Sequence, residues 1–97
     1  MRNNNIIKPK IAILLPAFNE ELALSKLINE IPNRQLEEAG YNVEIVVIDN
    51  NSTDRTRAVA EEHGATVIYE PRQGKAMAVK TAFASTDADF FFMLDAD

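Results

Sequence analysis

The 97-residue sequence has no cysteine and carries a net charge of −5. Without cysteine it can form no disulfide framework, thiolate zinc site or cysteine nucleophile. Its acidic balance disfavours a nucleic-acid partner, because nucleic-acid backbones are held by clustered basic residues. The longest apolar run spans only residues 11–18, whereas a membrane-spanning helix needs about 20 residues. We therefore expect a cytoplasmic domain that binds no nucleic acid.

Glycine is also scarce, and the three glycines (Gly40, Gly64 and Gly74) are far apart. A dinucleotide site needs G-x-G-x-x-G after the first strand, and a P-loop needs G-x-x-x-x-G-K-[ST]. Neither pattern occurs in the sequence. Any bound phosphate would therefore have to be held by cations, namely a metal ion on Asp97 and Asp95, helped by Arg72 or Lys75.

Hydrophobic residues make up 46% of the chain, which is enough for a core, and they predict alternating strands and helices. Residues 1–10 are polar and predict a loose lead-in. The predicted strands cover residues 11–16, 43–48, 65–69 and 90–94, with a helix in each interval. A β-α-β-α-β-α-β order predicts an α/β fold, with a parallel sheet and helices on both of its faces.

Several details of these elements are also predicted. Asn19 is a candidate N-cap of the first helix, and Ser52 or Thr53 of the second. The last strand is continuous in apolar residues and is therefore expected to be buried. The helix that starts at Lys75 is expected to face the sheet with Ala76, Val79 and Phe83.

Polar and charged side chains follow each predicted strand. In sheets of this kind, ligands bind outside the carboxyl ends of the strands, where the strand order reverses. The side chains at these four ends are Asn19 and Glu20, then Asp49 and Asn50, then Arg72 and Lys75, and finally Asp95 and Asp97. We expect a ligand site at this edge.

Asp95 and Asp97 end the last apolar run and are separated by one alanine. Residues i and i+2 of an extended segment point the same way, so the two carboxylates repel each other unless a cation lies nearby. Mg²⁺ and Mn²⁺ prefer such oxygen ligands. The alternative interpretation is a pair of solvated acids in a turn.

Four motifs carry a resemblance to a known family. They are Pro-Ala-Phe-Asn-Glu-Glu at 16–21, Val-Ile-Asp-Asn-Asn-Ser-Thr-Asp at 47–54, Gln-Gly-Lys at 73–75 and Asp-Ala-Asp at 95–97. In this order and spacing, the chain resembles the N-terminal half of family 2 glycosyltransferases, which have the Rossmann-like GT-A fold. It is most similar to members that load a sugar onto a polyprenyl phosphate.

The resemblance implies a role for each motif. It implies a nucleotide-sugar site made of Pro16, Ala17, Phe18, Asn19, Glu20, Asp49, Asn50, Arg72, Gly74, Lys75 and Asp95. Asp97 and Asp95 would bind Mg²⁺ or Mn²⁺. Asn50 departs from the aspartate that is commoner at its position, where the family reads the nucleotide base.

The resemblance also implies a reaction, in which the sugar of a UDP- or GDP-sugar is transferred with inversion to an acceptor such as a lipid-linked polyprenyl phosphate. The general base is expected beyond residue 97. Residues 11–97 are then the nucleotide-sugar part of a longer domain that works at the cytoplasmic face of the membrane. We expect the isolated chain to be inactive and to self-associate through an uncovered strand edge.

Three alternatives can be compared with this interpretation. A nucleotidyltransferase of similar fold would show a glycine- and arginine-rich loop after its first strand, and residues 16–19 contain neither residue. A receiver-like signalling module would need a fifth strand with a lysine after it. A non-catalytic nucleotide-binding module remains as a third possibility.

Overall fold

A computed structural model describes residues 7–96, which form a sheet of four parallel strands with helices on both faces. The strands are β1 (Lys10–Ala17), β2 (Asn42–Asp49), β3 (Thr66–Tyr69) and β4 (Phe90–Met93). The helices are α1 (Glu21–Glu30), α2 (Asn33–Glu38), α3 (Thr56–Glu62) and α4 (Lys75–Ser85). The strand order is β3-β2-β1-β4, so the predicted α/β fold is confirmed.

The two faces of the sheet are covered by different helices. Alternate residues of β1 point to opposite faces. Ile11, Ile13 and Leu15 pack with α1 and α3, whereas Ala12 and Leu14 pack with α4. The central strands β1 and β2 are therefore buried on both sides over most of their length, which explains their apolar runs at residues 11–17 and 45–48.

Two helices end just before a proline or a glycine, as the sequence predicts. Helix α1 ends at Glu30, just before Pro32, and α3 ends at Glu62. Gly64 then has a φ of +80°, the left-handed conformation expected of a residue that follows a helix. Within residues 7–96, no helix has the length and apolar character needed to cross a membrane.

The inward face of α4 differs from the prediction. The buried residues are Ala78 and Ala82, while Ala76 is exposed and Phe83 is 49% exposed. The two alanines belong to the same buried cluster as Ala12 and Leu14 of β1. Phe83 instead packs beside Phe91, with ring centroids 5.2 Å apart.

The prediction that β4 is buried was wrong. All four of its residues are exposed, and Phe92 is 56% exposed. The cause is the strand order, because β4 lies at the edge of the described sheet and pairs only with β1. The side chains of β4 therefore lack the second neighbouring strand that encloses those of β1.

Candidate functional site

A cleft of about 310 Å³ opens at the carboxyl edge of the sheet, beside the end of β1. Strands β2 and β4 lie on either side of β1, so the strand order reverses here, as it does at ligand sites of open α/β sheets. The lining residues are Pro16, Ala17, Phe18, Glu20, Asn50, Gln73, Gly74, Lys75, Ala78 and Asp95. They come from four segments of the chain that meet only in the folded sheet.

The turn after β1 is held by Asn19, but not in the predicted way. Asn19 has a φ of +51°, and its Oδ1 accepts hydrogen bonds from the N–H groups of Thr53 (2.8 Å) and Asp54 (3.3 Å). Its own N–H donates to Ser52 Oγ at 2.9 Å. Asn19 is therefore not the N-cap of α1, because its side chain is used by the loop after β2.

The predicted caps of the next helix, Ser52 and Thr53, were also wrong. Helix α3 begins at Thr56, whose N–H donates to Asp54 Oδ1 at 2.9 Å. Burial alone would raise the pKa of the Asp54 carboxyl, but hydrogen bonds from Thr56 and from the Glu21 N–H bring it below its usual value. Asp54 thus connects the starts of α1 and α3.

Asp49, at the end of β2, is buried with 4% of its surface exposed. Its Oδ1 accepts a hydrogen bond from the Ser52 N–H at 2.9 Å, which closes a turn of the kind that Asp commonly forms. Asp49 does not line the cleft. In this structure it shapes the loop that carries Asn50.

Asn50 lines the cleft and also holds the loop between β3 and α4. Its Nδ2 donates to the carbonyl oxygens of Glu70 (3.0 Å) and Arg72 (2.8 Å). Its Oδ1 accepts from the Gly74 N–H at 2.9 Å. Both amide hydrogens are therefore used within the protein.

Glu70 and Arg72 form an ion pair inside the same loop. The Arg72 guanidinium donates two hydrogen bonds to the Glu70 carboxylate, each 2.9 Å long, and the Arg72 N–H donates a third of 2.8 Å. Thr81 of α4 also donates its hydroxyl to Glu70. The Arg72 guanidinium, followed by Thr81, lowers the pKa of Glu70 to about 2, and the same pairing raises the pKa of Arg72.

Lys75 and Asp95 face each other in the cleft and form an ion pair. Lys75 is the first residue of α4, where a positive charge is unfavourable to the helix dipole. Asp95 follows β4 and offsets that charge. Asp97, the other predicted metal ligand, lies outside the described residues.

The predicted site residues therefore fall into two groups. The structure brings Pro16, Ala17, Phe18, Glu20, Asn50, Gly74, Lys75 and Asp95 together around the cleft. Asn19, Asp49 and Arg72 do not line it, and they hold the loops that do. Their direct contact with a ligand stays a prediction.

Sequence reasoning missed Glu70 and Thr81, which together fix the β3–α4 loop. Glu70 follows directly after β3 and is only 3% exposed. The available signal was an acid two residues before Arg72, at the end of a strand that leads into the site. Thr81 gave no such signal, because a threonine in an alanine-rich helix does not reveal which loop it faces.

The sequence pattern of the family described as "Glycosyl transferase family 2" matches residues 12–97. The chain belongs to this family. The match covers every loop of the cleft and all of the sheet except the first two residues of β1, so the predicted family is confirmed. The α/β architecture and the order of the motifs are therefore those of a family 2 glycosyltransferase domain.

Two curated relatives show how far the similarity extends. The chain is 41% identical over 87 residues to Protein RfbJ of Shigella flexneri, a match that covers 90% of this chain and 64% of that protein. It is 34% identical over 93 residues to the dolichol-phosphate mannosyltransferase of Pyrococcus furiosus, covering 91% and 26% respectively. The chain thus spans less than two thirds of either relative.

A solved structure resembles the fold closely. It is glucosyl-3-phosphoglycerate synthase from Mycobacterium tuberculosis, in complex with Mn²⁺, UDP and glucosyl-3-phosphoglycerate. The TM-score is 0.78 at 32% identity, and the match covers 92% of this chain and 34% of that one. This likeness over most of the chain agrees with the predicted α/β fold.

Proposed function

We propose that residues 11–97 form the nucleotide-sugar-binding part of a GT-A glycosyltransferase domain, with the cleft beside β1 as the site. One observation carries this proposal. The cleft combines Asn50, Lys75 and Asp95 at the reversal of strand order, in a fold shared with a glycosyltransferase that holds UDP and Mn²⁺. Glycosyl transfer from a nucleotide-diphosphate sugar is the reaction that this family membership and this cleft support together.

Charge and shape divide the cleft into two parts. Lys75 is a cation at the start of α4, where helix N–H groups also favour an anion, so this end suits the diphosphate. The turn Pro16–Phe18 and Glu20 offer apolar surface and a carboxylate, which suit the base and the ribose. UDP is the preferred nucleotide in this proposal, since the similar structure contains it.

The residues present fit a hard divalent cation such as Mg²⁺ or Mn²⁺. Asp95 brings a carboxylate to the cleft, and Asp97 would supply the second one predicted from the sequence. Among residues 7–96, no three acidic or histidine side chains cluster tightly enough to hold a metal alone. The remaining ligands would be water and diphosphate oxygens, and the bound metal would offset negative charge on the departing diphosphate.

The acceptor proposed here is a polyprenyl phosphate. One of its phosphate oxygens would attack the anomeric carbon of the donor sugar with inversion, and the nucleoside diphosphate would leave. Support comes from the similarity to a dolichol-phosphate mannosyltransferase over 91% of the chain. The structural neighbour is named for a different phosphate-bearing product, glucosyl-3-phosphoglycerate. A phosphorylated acceptor is the feature that the two names share.

Calorimetric titration of the chain with UDP and GDP, with and without Mn²⁺, tests the proposal. We expect metal-dependent binding of UDP that Lys75→Ala weakens about tenfold, because a charge-assisted contact to phosphate is lost. Asp97→Ala should remove the metal dependence. Lys80→Ala, an exposed position on α4, and Asp87→Ala, an exposed residue before β4, are the matched controls. A folded chain that binds neither nucleotide would refute the proposed site.

A further inference from the structure

We propose that Asn50 is a positioning residue, whose amide fixes the β3–α4 loop so that Gln73, Gly74 and Lys75 form one wall of the cleft. The consequence of this role for nucleotide binding rests on the proposed function. It assigns to Asn50 a role other than reading the base, the role that the resemblance implies.

The hydrogen-bonding capacity of the side chain supports this role. An asparagine amide has two N–H donors and an oxygen with two lone pairs. Both donors of Asn50 are used by the carbonyl oxygens of Glu70 and Arg72, and one lone pair is used by the Gly74 N–H. Only 5% of the residue is exposed. A single lone pair remains for any ligand.

The loop is held on its other side as well. The Glu70 carboxylate binds Arg72 within the loop and accepts a hydrogen bond from Thr81 of α4. The backbone N–H of Glu70 donates to the Asp49 carbonyl oxygen at 2.9 Å. The loop is therefore fixed from both β2 and α4, and Asn50 supplies the contacts nearest the cleft.

The three contacts of Asn50 require an amide. Aspartate has nearly the same shape but offers no donor when it is ionised, so its oxygens would face the two carbonyl oxygens without hydrogen bonds. Gly74 also has a φ of +129°, so the loop turns sharply just before Lys75. Asn50→Asp should therefore release the segment that carries Lys75 while changing little else in the cleft.

Limited proteolysis measures the position of the loop directly. Arg72 is exposed, so trypsin cleavage after Arg72 reports how freely the loop opens. We expect Asn50→Asp to speed this cleavage about tenfold, because the carbonyl groups of Glu70 and Arg72 lose their donors. Asn50→Ser keeps one donor, so its cleavage rate should lie between those of the wild type and Asn50→Asp. Asn42→Asp makes the same charge change at an exposed position at the opposite end of β2 and should leave the rate unchanged.

Titration with UDP and with inorganic pyrophosphate, each with Mg²⁺, separates positioning from base reading. If Asn50 positions the loop, Asn50→Asp should weaken the binding of both ligands by a similar factor, about tenfold, because Lys75 is displaced. Loss of UDP binding with unchanged pyrophosphate binding would show that Asn50 reads the base and would overturn the inference. An unchanged cleavage rate would overturn it too. If the wild type binds neither probe, the proposed function fails, and the cleavage rate still decides whether Asn50 holds the loop.

Discussion

Glu70 is a carboxylate that is almost fully enclosed and still negatively charged. A buried carboxylate normally gains a proton, unless nearby donors and positive charge stabilise the ionised form. Here the Arg72 guanidinium and the Thr81 hydroxyl provide that stabilisation and lower the pKa of Glu70 to about 2. The charge of Glu70 thus helps to hold the loop that leads to the cleft.

This depressed pKa predicts how stability depends on pH. The ordinary value is 4.5, so the contribution of Glu70 is complete above about pH 4.5 and is lost as the pH falls through about 2. We expect Glu70→Gln to lower the free energy of unfolding at pH 7, by a margin that shrinks between pH 4.5 and 2. Urea unfolding followed by circular dichroism at several pH values measures this margin.

Glu37→Gln provides the matched control for that experiment. Glu37 is exposed on α2, so the same neutralisation there should change the free energy of unfolding little at any of these pH values. A Glu70→Gln margin that stayed constant down to pH 2 would show that the lost charge is not what stabilises the loop.

The roles of single polar residues were the hardest to predict from the sequence. Asn19 has the composition and position of an N-cap, yet its side chain is used by residues 53 and 54. A polar side chain at a strand end can reach several loops, and the loop it meets depends on which strands are neighbours. That information is non-local, so a capping pattern alone could not supply it.

At the scale of elements, the strands were predicted well and the orientation of α4 was not. Strand β1 is marked by a continuous apolar run and β2 by its β-branched residues, and neither signal depends on a helical face. Helix α4 has apolar residues on every side, so its periodicity does not indicate which face is buried. Close packing on the sheet favoured the smallest side chains, Ala78 and Ala82.

The observed face of α4 can be tested with a pair of identical substitutions. Ala82→Leu inserts three carbon atoms into a fully buried contact and should cost about 1–3 kcal/mol of stability. Ala76→Leu places the same side chain at an exposed position and should change stability by less than about 0.5 kcal/mol. Urea unfolding of both variants measures this difference, and equal losses of stability would contradict the observed packing of α4.

At the scale of the whole molecule, the motif order predicted the family and the sheet, but not the neighbours of each strand. The position of β4 beside β1 places one apolar strand at the edge of the described sheet. The continuous apolar run of β4 therefore predicted a buried strand, whereas β4 is exposed. The run was correctly identified as a strand, and only its surroundings could not be predicted.

The exposed edge predicts that the 97-residue chain self-associates. Unpaired edge strands with apolar side chains are sites of association between chains, and Phe92 stands at the middle of this edge. We expect sedimentation velocity to show mass increasing with concentration, and Phe92→Lys to reduce the increase. Leu22→Lys, an exposed apolar position on α1, should leave association unchanged. A wild-type chain that stays monomeric at high concentration would refute this prediction.

The pairing of β1 with β4 has a consequence for the order in which the protein is built. The Lys10 N–H donates to an Asp89 carboxylate oxygen, and these two residues are 79 positions apart in sequence. During synthesis, β1 and β2 can pair as soon as both have left the ribosome, whereas β4 joins them much later. Closing so long a loop is slow. We expect the side of the cleft that carries Asp95 to be the last to form, so a nascent chain pairs β1, β2 and β3 before its binding site is complete.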